Sequence, residues 1–255
     1  MTASHPSPEQ ACLLALDTST ESLALALVDA QGQSGCQQQP GGALASTLLL
    51  PTLMAMLQRA GLTLSDLDAL AFGQGPGAFT GLRTACAVAQ GLGLGADKPV
   101  LPIDSLLLVA EDALAQARPE GEDKDGDGLW WVAMDARMDE VYAAAYLRQC
   151  GQWHVAAAPG LYALDTLGDC WLARPPTRLA GNAAAAFGPR LPIGQARLWP
   201  EQTDRASALL RLAQADWRAG KAVPADQAMP LYLRDKVALT TAERAQVQTM
   251  RGTAA

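Results

Sequence analysis

The sequence predicts an α/β protein of two similar lobes, each a β-hairpin followed by helices, on three observations. An apolar strand ending in aspartate, a polar turn and a second apolar strand occupy Ala15–Leu27. The same order returns at Val132–Tyr146, where Asp135 aligns with Asp17 and Asp139 with Glu21. A strand, a glycine and a small-residue helix start then occur twice, at Ala71–Gly81 and at Leu179–Pro189. One match would be coincidence. Two in the same order indicate an internal duplication.

In the first lobe, Ala11–Asp17 and Ser22–Asp29 read as strands joined by the turn Thr18–Glu21. Their Leu and Ala content is poor β chemistry, but shortness and turn punctuation favour strands over a helix. Gln33–Gln39 adds a third strand. Ala43–Ala60 is helical, with Leu44, Leu48, Met54 and Leu57 as its apolar stripe and Pro51 predicting a kink or late start. Leu67–Phe72 is a short buried strand. Gly73, Gly75 and Gly77 then surround Pro76, so the backbone turns without Cβ clashes. Thr80 or Gly81 opens a helix of small residues reaching about Gly95. Val100–Ile103 is a strand, and Asp104 or Ser105 caps a helix that runs to Arg118.

Pro119–Gly128 is a charged, glycine-rich loop. Its Asp123, Asp125 and Asp127 mimic the opening of a calcium loop, but Met134 stands where the bidentate Glu is needed. Beyond the second hairpin come a turn at Pro159–Gly160 and a helix or loop over Leu164–Leu172. A short strand near Ala196–Leu198, a helix over Arg205–Ala219 and a tail containing Pro230–Leu239 complete the chain. The domain reading is a disordered leader over 1–10, a first lobe over 11–112, a second lobe over 113–236 with the acidic loop 119–128, and a tail over 237–255.

Strand, glycine turn and helix N-terminus together bring free N–H groups to one place and bias it toward anions. A P-loop would need a GK[ST] ending, which is absent. The dinucleotide pattern is met formally by Gly73, Gly75 and Ala78, but a hairpin and a helix come first, which argues against it. Two tandem lobes with aspartate turns instead describe the actin-like/sugar-kinase (ASKHA) architecture, in which the paired turns flank a nucleotide cleft. Asp17, Thr18, Ser19, Gly73, Gly75 and Gly77 are the candidate residues of vestigial nucleotide/phosphate loops.

Composition narrows the chemistry. Two histidines, His5 and His154, and five cysteines with no CxxC pair leave no zinc or iron site of the usual kind. The same cysteine usage, with no signal peptide at the start of the sequence, points to a reduced, cytoplasmic chain. Net charge is −7, yet residues 171–255 hold 12 Lys/Arg against 6 Asp/Glu while residues 1–170 hold 7 against 20. The basic residues are spaced rather than clustered, and independent nucleic-acid binding is not supported. Without metal-binding histidines or a triad, a peptidase has almost no chemical support. An independent ATP-using phosphotransferase would use Asp17, Thr18 and Ser19 for phosphates and Asp135 or Asp139 for magnesium or as base, but no Lys or Gly-rich lid clamps a triphosphate.

The blocks Leu14–Leu27, Gly73–Arg83, Pro102–Leu106, Met134–Ala144, Ala180–Asn182 and Pro230–Arg234 resemble the bacterial TsaB (YeaZ) family, in family order across about Ala11–Leu239. The resemblance implies a role in making threonylcarbamoyladenosine next to the anticodon of tRNAs reading codons that begin with A. It implies a non-catalytic partner of the TsaD paralogue, joined by the ATPase TsaE, contacting tRNA only through the complex and needing no cofactor of its own. Family members pair through helices of the first lobe, with TsaD or with themselves as homodimers. Many relatives carry His where Ala45 stands and Arg where Gln74 stands, so contacts typical of the family are not carried over to those two positions. Gly81, Ala85, Ala89 and Gly93, spaced i, i+4, i+8 and i+12, are the candidate partner interface, the alternative being that this stripe packs on its own sheet.

Overall fold

The computed structural model describes residues 11–118 and 126–234. The expected leader, most of the acidic loop and the tail 237–255 lie outside the described residues. The first sheet contains β1 (Leu13–Asp17), β2 (Ser22–Val28), β3 (Ser34–Pro40), β4 (Ala69–Gly75) and β5 (Val100–Asp104), in the order β3-β2-β1-β4-β5. The second contains β6 (Gly128–Asp135), β7 (Glu140–Gln149), β8 (Gln152–Ala163), β9 (Arg178–Ala180) and β10 (Arg197–Trp199), in the order β10-β9-β6-β7-β8. Each sheet is an antiparallel hairpin with an antiparallel edge strand on one side and two parallel strands on the other. Topology therefore repeats as the sequence repeats, with β1 matching β6 and Asp17 matching Asp135 at the strand ends.

The helices are α1 (Ala45–Ala60), α2 (Phe79–Ala96), α3 (Ser105–Ala117), α4 (Leu164–Ala173), α5 (Ala183–Phe187) and α6 (Arg205–Arg218). α1 and α2 share one core with the first sheet, built on Leu14, Leu16, Leu25, Leu49, Leu53 and Phe72. α6 fills the other face of that sheet with Ala208, Leu209, Leu212 and Ala213. α3 joins the lobes, since its Leu106, Val109, Ala110 and Leu114 pack with Trp130, Val132 and Tyr146 of the second sheet.

Four expectations need correction. The boundary drawn at 112/113 falls inside α3, and α6 returns to the first sheet although its residues follow the second lobe in sequence. The α1 stripe is half misplaced: Leu57 is buried and Leu48 packs against the core as expected, beside Leu49, Leu53 and Met56, but Leu44 is 62% exposed and Met54 45% exposed. Pro51 sits inside α1, which continues through it from Ala45. The turn expected at Pro159–Gly160 lies within β8, an edge strand, where the pairing with β7 shifts register between Ala157 and Gly160 and so tolerates a missing N–H.

Candidate functional site

The two aspartate turns face a cavity of about 430 Å³ between the lobes. Its walls come from Ser19–Glu21, Pro76–Phe79, α3, the turn Asp135–Met138, Arg205 and Leu231–Arg234. Both turns are built alike. Asp17 Oδ1 accepts the Ser19 N–H at 2.5 Å, and Asp135 Oδ1 accepts the Arg137 N–H at 2.8 Å. Each is an Asx turn, in which the short side chain imitates a backbone turn.

Their environments differ. Asp17, Thr18 and Ser19 are buried, and Arg205 Nη2 donates to Asp17 Oδ2 and to Ser19 Oγ at 2.8 Å each. Arg205, only 1% exposed, also donates through Nη1 to Gln202 Oε1. A fixed guanidinium thus neutralises the Asp17 carboxylate. Asp135 stays at the rim, with Arg137 Nη1 3.8 Å away. Among the described residues no group of three or more His, Cys, Asp or Glu is placed to hold a metal ion.

The glycine block is packed against the same turn. A Cβ at Gly73 would overlap the Asp17 carboxylate, one at Gly77 the Ser19 carbonyl, and one at Gly81 the Thr18 carbonyl. Thr18 Oγ1 donates to Gly81 O at 2.7 Å, and Ala78 N–H donates to Ser19 O at 2.8 Å. Of the six candidate phosphate-loop residues, Ser19 and Gly77 line the cavity, while Asp17, Thr18, Gly73 and Gly75 stand behind its wall. The Ala78 N–H at the entry to α2 is already satisfied by the opposing turn.

The candidate interface stripe points inward. Gly81, Ala85, Ala89 and Gly93 are all buried in the chain itself, Ala85 and Ala89 within the first-lobe core. Gly93 lies under Ala225 and the Lys98 carbonyl, where a Cβ would not fit. The stripe packs on its own sheet, as helices of α/β layers do. The outward face of α2 carries Arg83, Ala87, Gly91, Leu94 and Gly95, with Leu94 60% exposed. Beside it α1 exposes Leu50 and Met54, and Leu44 is exposed just before its first residue. Gly42–Ala60 is long and apolar enough to cross a membrane by length and composition alone.

Where α3 meets the second sheet, Asp104 caps the helix by accepting the Leu106 N–H at 2.9 Å and the Leu107 N–H at 3.3 Å, and Tyr146 Oη donates to it at 2.6 Å. Burial pushes the Asp104 carboxyl above its ordinary value of 3.8, against these three donors, which favour the anion. The folded chain then holds this proton more tightly than the unfolded chain does. Its contribution to stability is complete below 3.8 and is lost as pH rises through the folded value. Asn in its place keeps the cap. The melting-temperature advantage of wild type over Asp104→Asn should therefore shrink as pH is raised from 4 toward neutrality, in thermal scans at fixed ionic strength. A constant difference would contradict the assignment.

Sequence reasoning missed Arg205 and the outward residues of α1 and α2. One signal for Arg205 was available: a cation at the first position of a helix opposes the dipole and wants an anion to hold it.

Two lobes of duplicated topology closing on a cleft define a protein of the actin-like class. Residues 42–188 match the TsaD family, described as tRNA N6-adenosine threonylcarbamoyltransferase. The chain is 32% identical over 241 residues to the tRNA threonylcarbamoyladenosine biosynthesis protein TsaB of Escherichia coli, covering 89% of this chain and 96% of that one. TsaB of Haemophilus influenzae is 40% identical over 137 residues, 54% of each chain. The solved structure of YeaZ from Pseudomonas aeruginosa superposes with a TM-score of 0.74 at 36% identity, over 88% of this chain and all of that one. The chain belongs to the TsaB (YeaZ) family.

Proposed function

We propose that the chain is a non-catalytic partner subunit of the tRNA threonylcarbamoyl transferase. It supports threonylcarbamoyladenosine formation by pairing with the TsaD paralogue, with the ATPase TsaE joining the pair and tRNA reached through the complex. The observation that carries this reading is the Asp17–Arg205 ion pair. An actin-like phosphotransferase needs that carboxylate, and here it is buried, neutralised and walled off from the cavity by its own turn.

Pairing uses the outward faces of α1 and α2. Leu44, Leu50, Met54 and Leu94 expose apolar surface there, and Gly91 and Gly95 have no neighbouring atom against which a Cβ would press. Flat, apolar surface of this kind matches the core of a protein interface. The test is co-purification of TsaD with the full chain from the native cytoplasm, beside the variant Leu94→Arg. Recovery with wild type, loss with the variant and an unchanged melting temperature is the expected result. Undiminished recovery with Leu94→Arg would remove α2 from the interface. Wild type isolated alone and turning over ATP would remove the proposal itself.

A further inference from the structure

We propose that Met229–Arg234 is an intramolecular clasp that fastens the two lobes together over the cavity. After α6 the chain lies along the open edge of β5, where Val223 and Val100 exchange both backbone hydrogen bonds. It then crosses the cleft mouth. On the first lobe, Leu231 N–H donates to Gln74 O at 2.8 Å and Gln74 Nε2 donates to Met229 O at 3.1 Å. The Tyr232 ring packs on Phe79 with centroids 5.1 Å apart, and its hydroxyl accepts from Arg83 Nε at 2.9 Å.

On the second lobe the only anchor among the described residues is Arg234. Its Nη2 donates to Ala136 O at 2.9 Å, to Arg137 O at 3.3 Å and to Glu140 Oε2 at 2.5 Å, while Nη1 lies 3.0 Å from Met138 Sδ. The turn it grips is strained. Arg137, Met138 and Asp139 all have positive φ, at 66°, 58° and 57°, and none is glycine. Left-handed backbone is unfavourable for residues that carry a Cβ, so contacts from outside the turn help to hold it. Arg190 Nη1 and the Leu164 N–H hold it at Asp139 from within the second lobe, and Arg234 adds the hold from the clasp through two carbonyls and the carboxylate at the turn's exit.

The hinge lies on the other side of the cleft. There Asp112 accepts the Thr203 and Asp204 N–H groups, and Glu111 accepts from Trp153 and Arg211, so α3 and α6 stay joined when the clasp opens. Leu231, Leu233 and Arg234 line the cavity, and release of the clasp exposes it. The clasp therefore controls both the lobe angle and access to the cleft.

The full chain carries its own probes. Cys36 on β3 and Cys170 on α4 are exposed, whereas Cys12 and Cys86 are buried, with burial pushing the Cys12 thiol up to about 11. With Cys150→Ser as background, spin labels on Cys36 and Cys170 report the distance between lobes. Arg234→Ala should lengthen and broaden that distance, and should speed amide exchange at Arg137–Glu140 by roughly tenfold or more. Tyr232→Phe, which keeps the ring and loses only the Arg83 bond, should do the same to a smaller degree and guards against a variant that fails to fold. An unchanged distance distribution in both variants overturns the clasp, whether or not exchange in the turn accelerates.

Discussion

Replacing Arg205 by methionine should lower folding stability by about 3–5 kcal/mol, since it leaves a buried carboxylate without its cation. Asp17 is 0% exposed and lies 188 residues away in sequence, so neither water nor a local group takes over the charge. Ser19 Oγ loses the same donor. In a chain of this size that loss corresponds to a melting point lowered by roughly 10 °C. The double variant Asp17→Asn with Arg205→Met should recover much of the loss, because a buried pair replaced as a pair is often near neutral. A thermodynamic cycle over the four proteins isolates the interaction. A single variant costing less than about 1 kcal/mol, the range of an exposed pair, would show that the Asp17–Arg205 pair is not formed in solution. The function proposed above would then lose the observation that carries it.

The duplication was legible because its marks are local. An aspartate closing an apolar strand forms its own turn through a bond two residues on, and that chemistry reads the same at Asp17 and Asp135. The glycine block was legible as a close approach of backbone, though not of what. Its partner is the Asp17–Ser19 turn, and no pattern within Gly73–Gly81 identifies it.

What stayed hidden depends on direction and distance. A stripe of small residues at helical spacing permits close packing, and the spacing does not say on which side. In α2 the decision falls to Leu82 and Cys86, which lie beside the stripe and share its burial. In α1 both faces are apolar, so Leu44 and Met54 were read as core when Leu49 and Leu53 take that place. The ties of Arg205 to Asp17 and of Arg234 to the turn Ala136–Glu140 join residues from opposite parts of the chain. Local periodicity carries no trace of such pairs.

Gly81→Ala, within α2, should destabilise the chain even though the same change elsewhere in that helix should stabilise it. Alanine is favoured over glycine in a helix interior by about 1 kcal/mol. At Gly91 and Gly95 a Cβ meets nothing within 4 Å, so that gain should appear there, reduced near the helix end. At Gly81 the new methyl would occupy the position of the Thr18 carbonyl oxygen, which belongs to the backbone and has no rotamer to escape into. The turn must retreat, stretching the bond from Thr18 Oγ1 to Gly81 O and drawing Asp17 away from Arg205. Overpacking of this kind costs about 1–3 kcal/mol, and disturbance of the buried ion pair adds to it. The steric cost exceeds the propensity gain, and the net effect should be a loss of about 2 kcal/mol or more. Denaturant unfolding of Gly81→Ala, Gly91→Ala and Gly95→Ala measured side by side gives the sign directly. A Gly81→Ala protein as stable as wild type would mean that the turn and α2 do not interlock, and that the Asp17–Ser19 turn is free to meet a ligand.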